Sequence, residues 1–186
     1  MKLLYHLLTY LLLIPYTLYW ATRALVNSDY RPKLAQRFGF GYERLASCIW
    51  VHAVSVGEVV AAAPLINALR REWPEKPLLV TTVTPTGAAR VEKLFGSRVH
   101  HAYIPFETPD AVKRFFAAVK PEIALVMETE IWPNLYRECG QRRIPLVLVS
   151  ARISPRSVNS YRKLLPLFRE TLSHGIVIAA QSEADA

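Results

Sequence analysis

Cys48-Ile49-Trp50-Val51-His52-Ala53-Val54-Ser55-Val56-Gly57-Glu58, running on into Val59-Val60-Ala61-Ala62-Ala63-Pro64-Leu65-Ile66-Asn67-Ala68-Leu69, reads as a strand that turns sharply into a helix. Cys48 to Val51 are apolar strand formers, and Val59 to Leu69 are Ala-rich with a helical period. At the junction Gly57 leaves the backbone open to close approach, and Glu58 falls in the first helical turn. The turn of such a unit lies at the carboxyl edge of a sheet, where open α/β sheets bind their ligands.

Outward from this unit the pattern repeats. Strands are expected near 48–54, 77–83, 99–104, 122–127, 145–150 and 175–180, with helices near 57–72, 86–95, 108–119, 131–142 and 155–173. Leu78-Leu79-Val80 and Ile123-Ala124-Leu125-Val126 lack apolar–polar alternation, as befits parallel strands covered on both faces. Pro77, Pro121 and Pro145 end the preceding helices where each strand opens. The expected fold is α/β, a Rossmann-like doubly wound parallel sheet.

Before the sheet, Leu3 to Trp20 is free of charge and mostly apolar. A helix of about 20 residues spans roughly 30 Å, the thickness of a hydrocarbon core. Tyr16, Tyr19 and Trp20 cluster at one end as interfacial aromatics do, followed by Arg23, Arg31, Lys33 and Arg37. By that charge bias the globular part is expected on the cytoplasmic side of the membrane. His6, Thr9, Tyr10 and Pro15 dilute the run, so a helix lying in the interface is the alternative to one that spans. The expected divisions are a membrane anchor over 1–26, a basic linker over 27–47 and the Rossmann-like domain over 48–186.

The net charge of +8 and pI near 9.7 fit an anionic partner. Zinc-finger spacing and RNA-binding aromatic signatures are missing from the sequence, which disfavours nucleic acid. Cys48 and Cys139 form no disulfide framework and are expected as buried thiols. His52, His100 and His101 lack ligand-spaced partners, so no protein-bound metal is expected.

Four loops follow strands and carry polar groups. Ser55-Val56-Gly57-Glu58 matches a capping box, with Ser55 capping the helix and Glu58 reaching back to the Ser55 amide. The competing reading makes Glu58 a general base for an acceptor hydroxyl. Thr84-Pro85-Thr86-Gly87 offers hydroxyls and free amides to an anion or sugar, or simply caps a helix. Glu128-Thr129-Glu130-Ile131-Trp132-Pro133-Asn134 combines Glu128, Glu130, Trp132 and Asn134, a set suited to sugar hydroxyls and ring faces. The bland alternative is that Thr129 or Glu130 caps a helix and Trp132 packs. Ser150 to Ser157 brings Arg152, Ser154 and Arg156 to a helix start, a plausible phosphate or carboxylate site.

In order, these pieces resemble the N-terminal half of the bacterial Kdo transferases, the 3-deoxy-D-manno-octulosonic acid transferases of lipopolysaccharide synthesis. The resemblance rests on the anchor with Arg37-Phe38-Gly39, on Trp50 to Glu58, Thr81 to Gly87, Met127 to Leu135, Ser150 to Ser157 and Gln181 to Asp185. It implies the N-terminal domain of a GT-B glycosyltransferase, which holds a lipid A precursor while a C-terminal domain holds the CMP-Kdo donor. It further implies transfer with inversion, Glu58 as the base, and no metal or other cofactor. Two positions depart from the expected pattern: Ser150 stands in place of Asn, and Glu107 in place of Asp.

The sequence ends just after a strand, at Gln181 to Ala186, which reads like an interruption before the donor domain. Without that domain the chain is expected to transfer sugar poorly. Alternatives are a noncatalytic membrane-anchored binding remnant of the same fold and another lipid-linked glycosyltransferase.

Overall fold

The computed structural model describes residues 2–151 and 176–180. A helix, α1 (Lys2–Val26), is followed by two 3-10 turns, Ser28–Tyr30 and Leu34–Phe38. The alternation then runs β1 (Cys48–His52), α2 (Val56–Glu72), β2 (Leu78–Thr82), α3 (Pro85–Phe95), β3 (His100–Tyr103), α4 (Pro109–Val119), β4 (Pro121–Met127), α5 (Pro133–Arg142), β5 (Leu146–Ala151) and β6 (Ile176–Ala180). The expected helix over 155–173 and the loop residues Arg152, Ser154 and Arg156 lie outside the described residues.

All neighbouring strands pair in parallel, in the order β3-β2-β1-β4-β5-β6. Strands two and three are laid down to one side of β1, and the next three to the other. The direction of winding therefore reverses between β1 and β4, which opens a crevice at their carboxyl ends. β1 is wholly buried, with Trp50 opposite Leu79 and Ala124. Successive residues feed opposite faces. Trp50 joins Phe115, Phe116 and Tyr136 beneath α4 and α5, while Val51 joins Val59, Ile66, Val91 and Phe95 beneath α2 and α3. Each such side chain contributes about 1.5–3 kcal/mol by leaving water. Cys48 and Cys139 are buried and unpaired, and burial pushes both thiols up to about 12.

One side of α1 is docked lengthwise on the domain. Tyr5 Oη donates to Glu107 Oε2 at 2.8 Å, and Tyr10 Oη donates to Asp110 Oδ2 at 2.6 Å. Tyr16 stacks on Phe106 with ring centroids 4.1 Å apart. Thr9, Trp20 and Ala24 are buried. The opposite side, with Leu3, Leu7, Leu11, Ile14 and Leu18, is exposed.

Where the sequence suggested a basic linker, the structure has a stitched segment. Arg37 is 1% exposed. Its guanidinium carbon lies 3.3 Å from the Trp20 ring centroid and 4.3 Å from that of Tyr103, and its Nη2 donates to the Val83 carbonyl at 2.6 Å. Gly39 adopts φ +88, and a Cβ there would come within 2.8 Å of the Ala111 backbone, so the turn needs glycine twice over. The Arg37-Phe38-Gly39 motif thus joins α1, the β2 end and α4.

Candidate functional site

Glu58 stands at the β1–β4 crevice. Ser55 caps α2, accepting from the Glu58 amide at a long 3.5 Å. The Glu58 carboxylate reaches back one residue further than a capping box requires: Oε2 accepts from the Val54 amide at 2.8 Å, and Oε1 from Ser55 Oγ at 2.9 Å. The expected bond to the Ser55 amide is replaced by the one to Val54. Each carboxylate oxygen accepts one bond and keeps a second lone pair for a substrate proton. Burial raises the carboxyl above its ordinary range; the two donors pull it down, and Glu130 and Glu128 push it up again. A carboxylate of raised basicity suits proton removal near neutral pH.

The other two carboxylates end β4. Glu128 has φ +57, a left-handed conformation that costs a non-glycine residue about 1–2 kcal/mol. Its amide still donates to the Val149 carbonyl at 2.9 Å, so the kink turns the chain without abandoning β5. Glu130 Oε2 accepts from Trp132 Nε1 at 2.9 Å, and the Glu130 carbonyl accepts from Tyr136 Oη at 2.7 Å. Burial raises the Glu130 carboxyl, opposed by the Trp132 bond and reinforced by Glu128. Trp132 meets His52 edge to face at 6.0 Å. His52 is buried and bonded through Nδ1 to Thr81 Oγ1 at 2.9 Å, and burial pushes it down to about 4. Its burial keeps it away from an acceptor hydroxyl, which leaves Glu58 as the candidate base.

Helix α5 begins at Pro133, later than the expected 131, because proline fits the first helical position. Neither Thr129 nor Glu130 caps it. Glu107, from the β3–α4 loop, does so: its carboxylate accepts from the Asn134 amide at 2.8 Å and from the Leu135 amide at 3.0 Å. With Tyr5 it accepts three bonds while fully enclosed, and burial outweighs these donors to push the carboxyl up to about 7. In the sequence Glu107 stands out only as a departure, since its partners are distant in the chain.

The remaining expected residues divide clearly. Gly57 is exposed, and an added Cβ would meet only Ser55 Oγ at 3.8 Å, so packing does not explain the glycine. Thr84 caps α3 by accepting from the Gly87 amide at 3.1 Å, and Gly87 is held close, since a Cβ added there would lie 3.3 Å from Thr82 Cβ. Thr86 is exposed, its hydroxyl on Thr84 Oγ1 at 3.2 Å. Asn134 is turned inward: Nδ2 donates to the Glu107 carbonyl at 2.6 Å, and Oδ1 accepts from Arg137 Nη1 at 2.7 Å. The crevice therefore gathers Ser55, Gly57, Glu58, Glu128, Glu130 and Trp132. Thr84, Thr86 and Gly87 sit at the neighbouring β2 end, and Asn134 serves the fold.

Residues 32–186 match the family model described as 3-deoxy-D-manno-octulosonic-acid transferase (kdotransferase). The chain is 44% identical over 157 residues to the 3-deoxy-D-manno-octulosonic acid transferase of Haemophilus influenzae, covering 82% of this chain and 36% of that protein. It is 40% identical over 146 residues to the transferase of the same name from Bordetella pertussis, covering 76% and 34%. It is also 34% identical over 183 residues to a probable mitochondrial 3-deoxy-D-manno-octulosonic acid transferase of Arabidopsis thaliana, covering 96% and 41%. The chain thus spans about a third to two-fifths of the length of these relatives. Among solved structures, the UDP-GlcNAc 2-epimerase from Neisseria meningitidis bound to UDP-GlcNAc superposes with a TM-score of 0.53 at 16% identity, covering 75% of this chain and 41% of that one. At that identity the likeness is one of fold.

Proposed function

The chain belongs to the 3-deoxy-D-manno-octulosonic acid (Kdo) transferase family, and from that premise we propose that it is the acceptor-binding part of an inverting glycosyltransferase. The reaction we infer moves Kdo from CMP-Kdo to a hydroxyl of a lipid A precursor. The observation that carries this reading is the Glu58 carboxylate at the winding reversal, held by two donors, with a lone pair free on each oxygen.

In this mechanism Glu58 takes the proton of the acceptor hydroxyl. The acceptor oxygen bonds to the anomeric carbon from the face opposite CMP. The bond from that carbon to the phosphate oxygen breaks, and CMP departs with the electron pair. The donor would sit on the second domain of the complete protein. Glu128, Glu130 and Trp132 would meet the sugar of the acceptor, and Arg152 and Arg156 its phosphates. Gly57 would let the acceptor approach the backbone beside Glu58.

Helix α1 is apolar enough to cross a membrane, but its docking supports a helix lying in the interface. Contacts from Tyr5 to Ala24 hold it against the domain over roughly 28 Å, at 1.5 Å per residue. A spanning pose would break the bonds to Glu107 and Asp110. Lying flat at the cytoplasmic face of the inner membrane, with the Leu3–Leu7–Leu11 row toward lipid, α1 would bring Glu58 to the headgroup level.

The test uses the full-length protein with CMP-Kdo and a tetra-acylated disaccharide bisphosphate acceptor. CMP release matched by an equal mass gain of one Kdo per transfer is expected, with competition by CMP and not by UDP. Release of CMP without acceptor modification, or competition by UDP instead, would overturn the proposal.

A further inference from the structure

A groove of about 560 Å³ runs between α1 and the loop that links β4 to α5. That is the size of a small-molecule site. Its walls are Leu4, Leu8 and Leu12 on one side and Phe106, Ile131 and Trp132 on the other. We propose that this groove takes one acyl chain of the acceptor lipid and so sets which acylated acceptors present a hydroxyl to Glu58. The inference rests on the acceptor-binding function proposed above.

Three observations select hydrocarbon as the occupant. First, Leu4, Leu8 and Leu12 repeat every fourth residue, so they form one straight apolar row on α1. They are 52%, 45% and 54% exposed, so the row is uncovered along its length. It lies next to the exposed Leu3, Leu7 and Leu11 row. A chain resting on lipid-facing α1 enters the groove without crossing water.

Second, the ionisable groups that line the groove are Tyr5, Glu107 and Glu130. Tyr5 and Glu107 satisfy each other, and Glu107 also serves the α5 amides. Glu130 is tied to Trp132. Carboxylates repel a phosphate headgroup, so what enters is the uncharged part of an amphiphile. A peptide strand finds no partner either, because the walls are helix and loop and β4 is paired on both sides.

Third, the groove shares Glu130 and Trp132 with the crevice, where Trp132 meets His52 at the end of β1. Glu130 is close enough to Glu58 to perturb its carboxyl electrostatically. On this proposal a chain held against Leu8 leaves its headgroup on the Glu130 and Trp132 side of the groove, toward Glu58.

Transfer by the full-length protein in glycoside-detergent micelles tests this, with two acceptors: the tetra-acylated disaccharide bisphosphate and the same disaccharide bisphosphate stripped of its acyl chains. The quantity read is the ratio of their kcat/KM values. Leu8→Trp and, from the facing wall, Ile131→Trp fill the groove. Each methylene displaced is worth about a fourfold factor, so excluding two or three lowers the ratio roughly 15- to 60-fold. Leu18→Trp, on the outer side of α1, leaves the ratio unchanged and controls for general lipid affinity. Thermal unfolding midpoints matching the wild type show that the variants fold. An unchanged ratio in both groove variants, or an equal fall in Leu18→Trp, would overturn the acyl site while leaving the transferase function standing. A wild-type protein that glycosylates neither acceptor would overturn that function, and the acyl site with it.

Discussion

Replacing Glu58 by Gln separates chemistry from capping. Gln keeps the shape of the side chain: its carbonyl accepts the Val54 N–H at the position now 2.8 Å away, and its amide donates to Ser55 Oγ, now at 2.9 Å. Both contacts survive in neutral form, so the fold should lose less than about 1 kcal/mol. Glu58→Ala instead strands the Val54 N–H at a half-buried helix end and should cost about 1 kcal/mol or more. Turnover behaves differently. Loss of a general base removes about 10²–10⁴ in rate, which is about 2.7–5.4 kcal/mol of barrier. The assay is Kdo transfer by the full-length protein, followed across pH, beside urea unfolding of both variants. In the wild type kcat/KM should rise with pH through an apparent pKa above the ordinary glutamate value, because burial and the neighbouring carboxylates raise Glu58. That limb should vanish in Glu58→Gln. A Gln variant within about tenfold of wild-type turnover would refute the base assignment. One that fails to fold would show that the turn needs the charge of the carboxylate and not only its hydrogen bonds.

Three further outcomes follow from the same geometry. Gly57→Ala should stabilise the first turn of α2 by about 0.5–1 kcal/mol, since the Cβ makes only an ordinary contact with Ser55 Oγ, yet lower kcat/KM if the acceptor passes over that backbone; unchanged kinetics would remove Gly57 from the site. Glu107 has a folded pKa raised from 4.5 to about 7, so its contribution is fully present below about pH 4.5 and fades as pH rises through 7. The loss is about 3 kcal/mol at the limit, and urea midpoints at pH 5 and pH 8 should show a slope that Glu107→Gln flattens; equal slopes in both proteins would contradict it. Arg37→Lys keeps the charge but loses the planar stack on Trp20 and Tyr103. It should cost about 1–2 kcal/mol and expose α1 to limited proteolysis, whereas unchanged cleavage would show that the stack does not hold α1.

The centre of the sheet was legible because β1 and β2 are buried on both faces and prolines open several strands, so runs such as Leu78 to Val80 stand out without any partner being known. The Glu58 turn was legible for a local reason as well: a capping signature and a glycine with no packing duty lie within four residues. Its detail was not, because whether the carboxylate reaches Ser55 or Val54 depends on backbone geometry rather than residue type. Arg37 counted as charge in a basic segment, yet it is buried under rings from positions 20 and 103. Glu107 was opaque for the same reason. Its partners are 27, 28 and 102 residues away, and no spacing rule reaches so far.

The bond from Tyr5 to Glu107 also sets a clock on biosynthesis. The two residues are 102 apart in sequence, and at about 5–20 residues per second the ribosome needs roughly 5–20 s to make the second after the first. Through that interval α1 exists with no domain to receive Tyr5, Thr9, Tyr16 or Trp20. Whatever shelters its leucine rows then, bilayer or chaperone, acts before docking begins, and the domain closes onto a helix that is already placed.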